Sequence, residues 1–117
     1  MRRAVIHQDA NENNVLVTSS TTETRLSGLI DFGDAGHTVL VAEPAIAAAY
    51  IALEKQDPLT AMATLVGAFH REHPLLDEEL ECVFDLALLR LATSVAVSSE
   101  RAAAANANPY HLSLIHI

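Results

Sequence analysis

Residues 5–17 read VIHQDANENNVLV: two short apolar runs separated by a loop holding a histidine, two acids and three asparagines. The β-prone runs at 4–6 and 14–18 (NVLVT) predict two strands, and the loop between them has the make-up of a turn or of a chemical site. Downstream, SSTTET (19–24) is polar and turn-like, and RLSGLI (25–30) predicts a third strand that pairs with 14–18 as a hairpin. DFGDAGHT (31–38) breaks the strand pattern. After residue 42 the sequence turns helical. Glu43 stands near the N-cap and Pro44 suits a first turn, where its missing N–H costs nothing. AIAAAYIALEK (45–55) is a helix of small residues, suited to close packing. Asp57-Pro58 opens a second helix over 58–72. Asp77 is expected to cap a third over 78–104, with Leu80, Val83, Phe84, Ala87, Leu88 and Leu91 at helical spacing. ANANPY ends it. A small β-element followed by helices is an α+β layout, with no internal repeat.

The bounds narrow the function. A chain of 117 residues suffices for one small domain with a modest core. Fifteen acids against seven bases give a formal charge of −8, which disfavours nucleic acid and anionic membranes as partners. The balance suits a cationic small molecule or a metal. Cys82 is the single cysteine, so no intrachain disulfide forms, and a cytoplasmic location is expected. MRRAVIHQDA has a basic start but lacks the apolar stretch of a signal peptide. No run reaches the ~18 apolar residues of a membrane span.

Within the first loop, His7-x-Asp9 is followed by Asn14, five positions after Asp9, and Asp31-Phe32-Gly33 sits at the end of the third strand. This arrangement resembles the catalytic core of protein-kinase-like small-molecule kinases: the aminoglycoside phosphotransferase family with its choline kinase and hydroxylysine kinase relatives. GLIDFGDAGHT followed by EPAIAAAY looks closest to the hydroxylysine-kinase-like branch, which also occurs fused to class III aminotransferases. The resemblance covers about residues 4–111, so residues 1–111 are read as one kinase-like unit.

The resemblance implies the C-terminal lobe of a protein-kinase-like fold: a short β-hairpin carrying the catalytic and metal loops, then a helical bundle. It implies transfer of the γ-phosphate of ATP or GTP, with Mg²⁺, to a hydroxyl of a small, amine-bearing molecule such as an aminoglycoside, hydroxylysine or a choline-like compound. Asp9 would be the base, and Asn14 and Asp31 the metal ligands. Magnesium takes hard oxygen ligands and keeps several waters, so one carboxylate and one amide oxygen are sensible. A hairpin between 14 and 31 would bring both to one end of the sheet. His7 and Glu43 would support the catalytic loop. Asp34 is either a further metal neighbour or a loop brace. The acids of the helices would wall the site and attract a cationic substrate.

Two departures qualify the resemblance. Many members carry Gly where this chain has Gln8, which adds a side chain beside the catalytic aspartate. The four glycines (28, 33, 36 and 67) form no phosphate-cradling loop, so the N-terminal lobe of a kinase is expected to be absent and these residues alone inactive. The alternative reading is a catalytically inactive kinase-like binding module, within an aminotransferase fusion for example. Residues 112–117, LSLIHI, match a translated sequencing-adapter end and are read as a scar outside the fold.

Other chemistries find little support. His70 and His73, three apart, lack a further ligand set. There is no HExxH and no G-x-S-x-G. Cys82, among apolar helix residues, reads as an inert thiol.

Overall fold

The computed structural model describes residues 1–53 and 55–107. The segment read as a scar, 112–117, lies outside the described residues.

The architecture is α+β, with two two-stranded antiparallel sheets and three helices. The strands are β1 (Arg3–Ile6), β2 (Val15–Ser19), β3 (Thr24–Leu29) and β4 (Gly36–Val39). β2 and β3 form the hairpin that the sequence predicts, from Val15 opposite Leu29 to Ser19 opposite Thr24. Ser20 makes its turn: the backbone N–H donates to the Glu23 carbonyl at 2.8 Å, and the hydroxyl oxygen accepts from Thr22 and Glu23 N–H. The register steps between Leu16 and Val17, a bulge that strengthens local twist.

β4 corrects the sequence reading, which left 31–38 without a strand. Arg3 lies opposite Val39 and Ile6 opposite Gly36. The reason is non-local. GHTV has no apolar alternation of its own and becomes a strand because β1 presents a free edge to it. The chemistry-bearing loops are therefore not both on one hairpin. The first, 7–14, crosses from the β1–β4 pair to the β2–β3 pair, and the second, 30–35, crosses back.

The helices are α1 (Ala42–Ala52), α2 (Pro58–Glu72) and α3 (Asp77–Ala107). α1 packs on both α2 and α3. Its alanines permit this: Ala48 and Ala49 lie buried against Met62 and Ala87, with Leu65, Val66 and Leu91 around them. α2 starts where Asp57 predicts. Asp57 Oδ1 accepts the Thr60 N–H at 3.2 Å and Oδ2 the Thr60 hydroxyl at 2.7 Å.

Two helix starts differ from expectation. α1 begins one residue before Glu43, with Val41 at the N-cap and no side-chain cap; the Glu43 carboxylate is used elsewhere. α3 includes Asp77 as its first residue, and Glu79 does the capping by reaching back to the Leu76 N–H at 2.8 Å. Glu79 is fully buried and also pairs with the guanidinium of Arg2, which donates to the Pro74 carbonyl as well. The start of the chain is thereby pinned to the start of α3.

The hairpin is short of cover. Leu16, Val17, Leu26 and Ile30 are exposed, as is Phe32 beyond β3. Among the described residues, no helix is long and apolar enough to cross a membrane.

Candidate active site

The first loop is held from below by Glu43. Its carboxylate accepts the backbone N–H of His7 and, at 3.2 Å, that of Gln8. This pair of donors is what an anion in the first turn of α1 can reach across to β1, and it explains why Glu43 does not cap its own helix.

His7 is buried and its ring bridges two elements. Nδ1 accepts the Asp9 N–H at 3.1 Å, so the proton sits on Nε2, which donates to the Ile30 carbonyl at 2.8 Å. The ring also meets Phe32 edge-on, with centroids 4.9 Å apart. Such a contact is worth about 0.5–1.5 kcal/mol beyond area burial.

Asp9 lies in the loop with a side chain 19% exposed. Its Oδ2 accepts from Asn14 Nδ2 at 3.1 Å. Its Oδ1 accepts from Asn11 Nδ2 at 3.1 Å and from the Tyr50 hydroxyl at 2.9 Å. Arg90 Nη2 stands 3.8 Å from the same oxygen and donates to the Tyr50 hydroxyl at 2.9 Å.

Asn14 is buried, and its amide nitrogen faces two acceptors, the Asp9 carbonyl at 2.8 Å and the Asp9 carboxylate. The nitrogen must face that way, which leaves Oδ1 without a donor among the described residues. The Asn14 carbonyl accepts the Ile30 N–H at 2.9 Å, so Asn14 and Asp31 flank the same end of the β2–β3 ribbon.

Asp31 is exposed, with φ of 60°, a left-handed conformation that Asp tolerates better than most residues. Among the described residues its Oδ1 accepts only the Gly33 N–H, at 3.3 Å. A methyl group on Gly33 would stand 3.3 Å from that oxygen, so the glycine keeps the carboxylate uncrowded. Asp34 is exposed, and its contribution is its backbone carbonyl, which accepts from Gln8 Nε2 at 3.0 Å.

Gln8 has φ of 69°. Glycine would occupy that conformation without strain, which gives the departure noted above a physical basis. Its side chain turns to the Asp34 carbonyl and braces the two loops together.

The site holds groups that the sequence did not single out. Tyr50 and Arg90 reach Asp9 from α1 and α3, so the nearest charge that the helices bring to Asp9 is positive rather than acidic. A cavity of about 460 Å³ lies among α1, α2 and α3 and is lined by apolar residues such as Leu59, Met62, Val66 and Phe84. His70 Nδ1 accepts the Leu75 N–H at 2.9 Å and serves the α2–α3 connection. Burial pushes the Cys82 thiol up, which keeps it protonated and unreactive. Among the described residues no cluster of three His, Cys, Asp or Glu side chains could hold a metal ion. That does not bear on an amide-plus-carboxylate set.

Two loops thus converge, with an asparagine paired to an aspartate and a D-F-G segment beside them. The family comparison agrees: the phosphotransferase enzyme family (APH) matches residues 1–78, and this chain belongs to that family. It is 30% identical over 103 residues to hydroxylysine kinase of Xenopus laevis, an alignment covering 83% of this chain and 28% of that protein. The hydroxylysine kinase of Mus musculus is 28% identical over 103 residues, covering 84% of this chain and 27% of its own length. That of Bos taurus is 27% identical with the same coverage. The chain thus spans a little over a quarter of the curated relatives it matches. No solved structure gives a significant match.

Proposed function

We propose that this chain carries the catalytic base and metal ligands of a small-molecule kinase, as the C-terminal lobe of a protein-kinase-like fold. The nucleotide-covering lobe would come from a longer chain. The short span relative to the hydroxylysine kinases and the uncovered apolar face of the β2–β3 ribbon both support this. Hydroxylysine is the first acceptor to test, because the matched relatives are hydroxylysine kinases, and an aminoglycoside or a choline-like alcohol the next.

Phosphoryl transfer asks the protein mainly for placement and charge. Asp9 would orient the acceptor hydroxyl and take its proton as the oxygen–phosphorus bond forms and the nucleoside diphosphate leaves. Asn14 Oδ1 and the Asp31 carboxylate, both spare and both at one end of the ribbon, fit Mg²⁺ by the chemistry of the donors. When bound, that ion would neutralise charge on the transferred phosphate of ATP or GTP. His7 and Glu43 would hold the loop, through the Ile30 carbonyl and the two backbone N–H groups respectively.

The observation that carries this reading is the Asp9–Asn14 pair bonded at 3.1 Å, next to a strand end that leads into Asp31. The alternative of an inactive binding module rested partly on Gln8. Its side chain is turned to Asp34 and leaves Asp9 clear, which favours the enzyme. The test is phosphate transfer from labelled ATP and GTP to hydroxylysine by the full-length protein, against Asp9→Ala. Transfer lost in a folded Asp9→Ala supports the enzyme. No transfer by the wild type, or equal transfer by both, would overturn it.

A further inference from the structure

We infer that Tyr50 and Arg90 are positioning residues that lock one oxygen of Asp9 and reserve the other for the acceptor hydroxyl. This rests on the reading of Asp9 as the base and goes further, assigning which oxygen works and what aims it.

The two carboxylate oxygens are treated unequally. Oδ1 is surrounded: Asn11 Nδ2 at 3.1 Å, the Tyr50 hydroxyl at 2.9 Å and Arg90 Nη2 at 3.8 Å. Oδ2 has only Asn14 Nδ2, at 3.1 Å, among the described residues. A carboxylate oxygen offers about two lone-pair sites. Oδ1 therefore has no room for a further donor, and Oδ2 has one place left.

The direction of the lock follows from donor chemistry. Arginine only donates, so the 2.9 Å contact from Arg90 Nη2 makes the Tyr50 oxygen an acceptor. The single hydroxyl hydrogen of Tyr50 is then left for Asp9. A donor upstream strengthens the bond downstream. The guanidinium also lies 5.7 Å from the Tyr50 ring centroid, which fixes the phenol from its face.

Arg90 is not placed here for packing. Its Nε is buried with no acceptor among the described residues. A buried unpaired donor is destabilising, and an apolar side chain at that position would avoid it. What the guanidinium supplies instead is a charge and a donor beside Asp9. Tyr50 and Arg90 come from separate helices that pack on one another through α1 and α3, so the carboxylate is aimed by the helical body and not by its own loop alone.

Placement errors of about 1 Å can cost on the order of 100-fold in rate. The test is steady-state transfer from MgATP to hydroxylysine by the full-length protein and by Tyr50→Phe, Arg90→Met and Arg90→Lys. Thermal unfolding of each variant and a crystal structure of Arg90→Met accompany it. In Tyr50→Phe kcat should fall about 10-fold and in Arg90→Met about 100-fold, with KM within about 3-fold. Arg90→Met should unfold no earlier than wild type because the orphaned Nε–H is gone. Arg90→Lys, which keeps a donor and the charge, should recover part of the loss. In the Arg90→Met crystal the Asp9 carboxylate should be rotated from its wild-type position.

A raised KM with kcat intact would make Arg90 a substrate-binding group and overturn the inference. So would an unmoved Asp9 carboxylate, or a loss of kcat that tracks loss of fold. If wild type transfers no phosphate, the kinase reading fails, and the crystal structure alone decides whether the pair aims Asp9.

Discussion

His7 Nε2 donates to the Ile30 carbonyl across 2.8 Å, joining the loop before β2 to the loop after β3. The same ring accepts the Asp9 N–H. His7→Leu keeps the bulk but orphans a carbonyl and an N–H, at about 1–3 kcal/mol for each that stays dry. Urea unfolding should show that loss. His7→Gln, which can serve one of the two, should lie between Leu and wild type.

Asp31 separates activity from stability. It is exposed and makes one long hydrogen bond to Gly33, so Asp31→Asn should leave the unfolding free energy within about 0.5 kcal/mol. Asn also tolerates the φ of 60°. If Asp31 holds Mg²⁺, transfer should fall by at least about 100-fold, and the Mg²⁺ concentration for half-activity should rise. Unchanged Mg²⁺ dependence would remove Asp31 from the metal site.

Gln8→Gly sets three modest effects against each other. Relief of the left-handed conformation gains about 1–2 kcal/mol. Loss of the bond to Asp34 costs about 0.5–1.5 kcal/mol, and the freer unfolded chain about 0.4–1 kcal/mol. The melting temperature should therefore barely move, and kcat should stay within a few-fold of wild type. A large loss of kcat would mean that the bridge between the loops is part of catalysis.

Acid should weaken the anchor between Arg2 and Glu79. The hydrogen bond from Arg2 first, with that from Leu76 N–H, holds the Glu79 carboxyl below the usual carboxylate range against the opposing effect of burial. The folded pKa is thus lower than the unfolded one. The stabilisation is complete above the unfolded value and is lost as pH falls through the folded value. Wild type should be more stable than Glu79→Gln at neutral pH, and the difference should shrink on acidification below the carboxylate range. Urea titrations at a series of pH values measure it. A difference independent of pH would mean that the pair contributes through shape alone.

Much of this was readable from sequence because the signals were local. The β2–β3 hairpin declares itself through two β-prone runs about a polar turn, and α2 through Asp57-Pro58. β4 was not readable, since GHTV acquires its strand from β1, some thirty residues earlier. Asp77 looked like the cap of α3, but the residue that reaches the exposed N–H is Glu79, the third position of a capping box, and its burial against Arg2 has no local mark. Tyr50 and Arg90 were passed over as parts of helices. Their signal was faint: one phenol on an alanine-rich helix, and one cation amid the apolar run of α3.

α1 touches the 7–14 loop from both of its ends, through Glu43 on the backbone of His7 and Gln8 and through Tyr50 on the side chain of Asp9. They stand seven positions apart in the chain, so they lie on one face about 10 Å apart. The helix acts as a ruler. The span from the loop's main chain to the Oδ1 side of the Asp9 carboxylate is copied from the α-helical repeat. One residue added between Glu43 and Tyr50 would swing Tyr50 by about 100° and take its hydroxyl away from Asp9, leaving the carboxylate to the asparagines of its own loop.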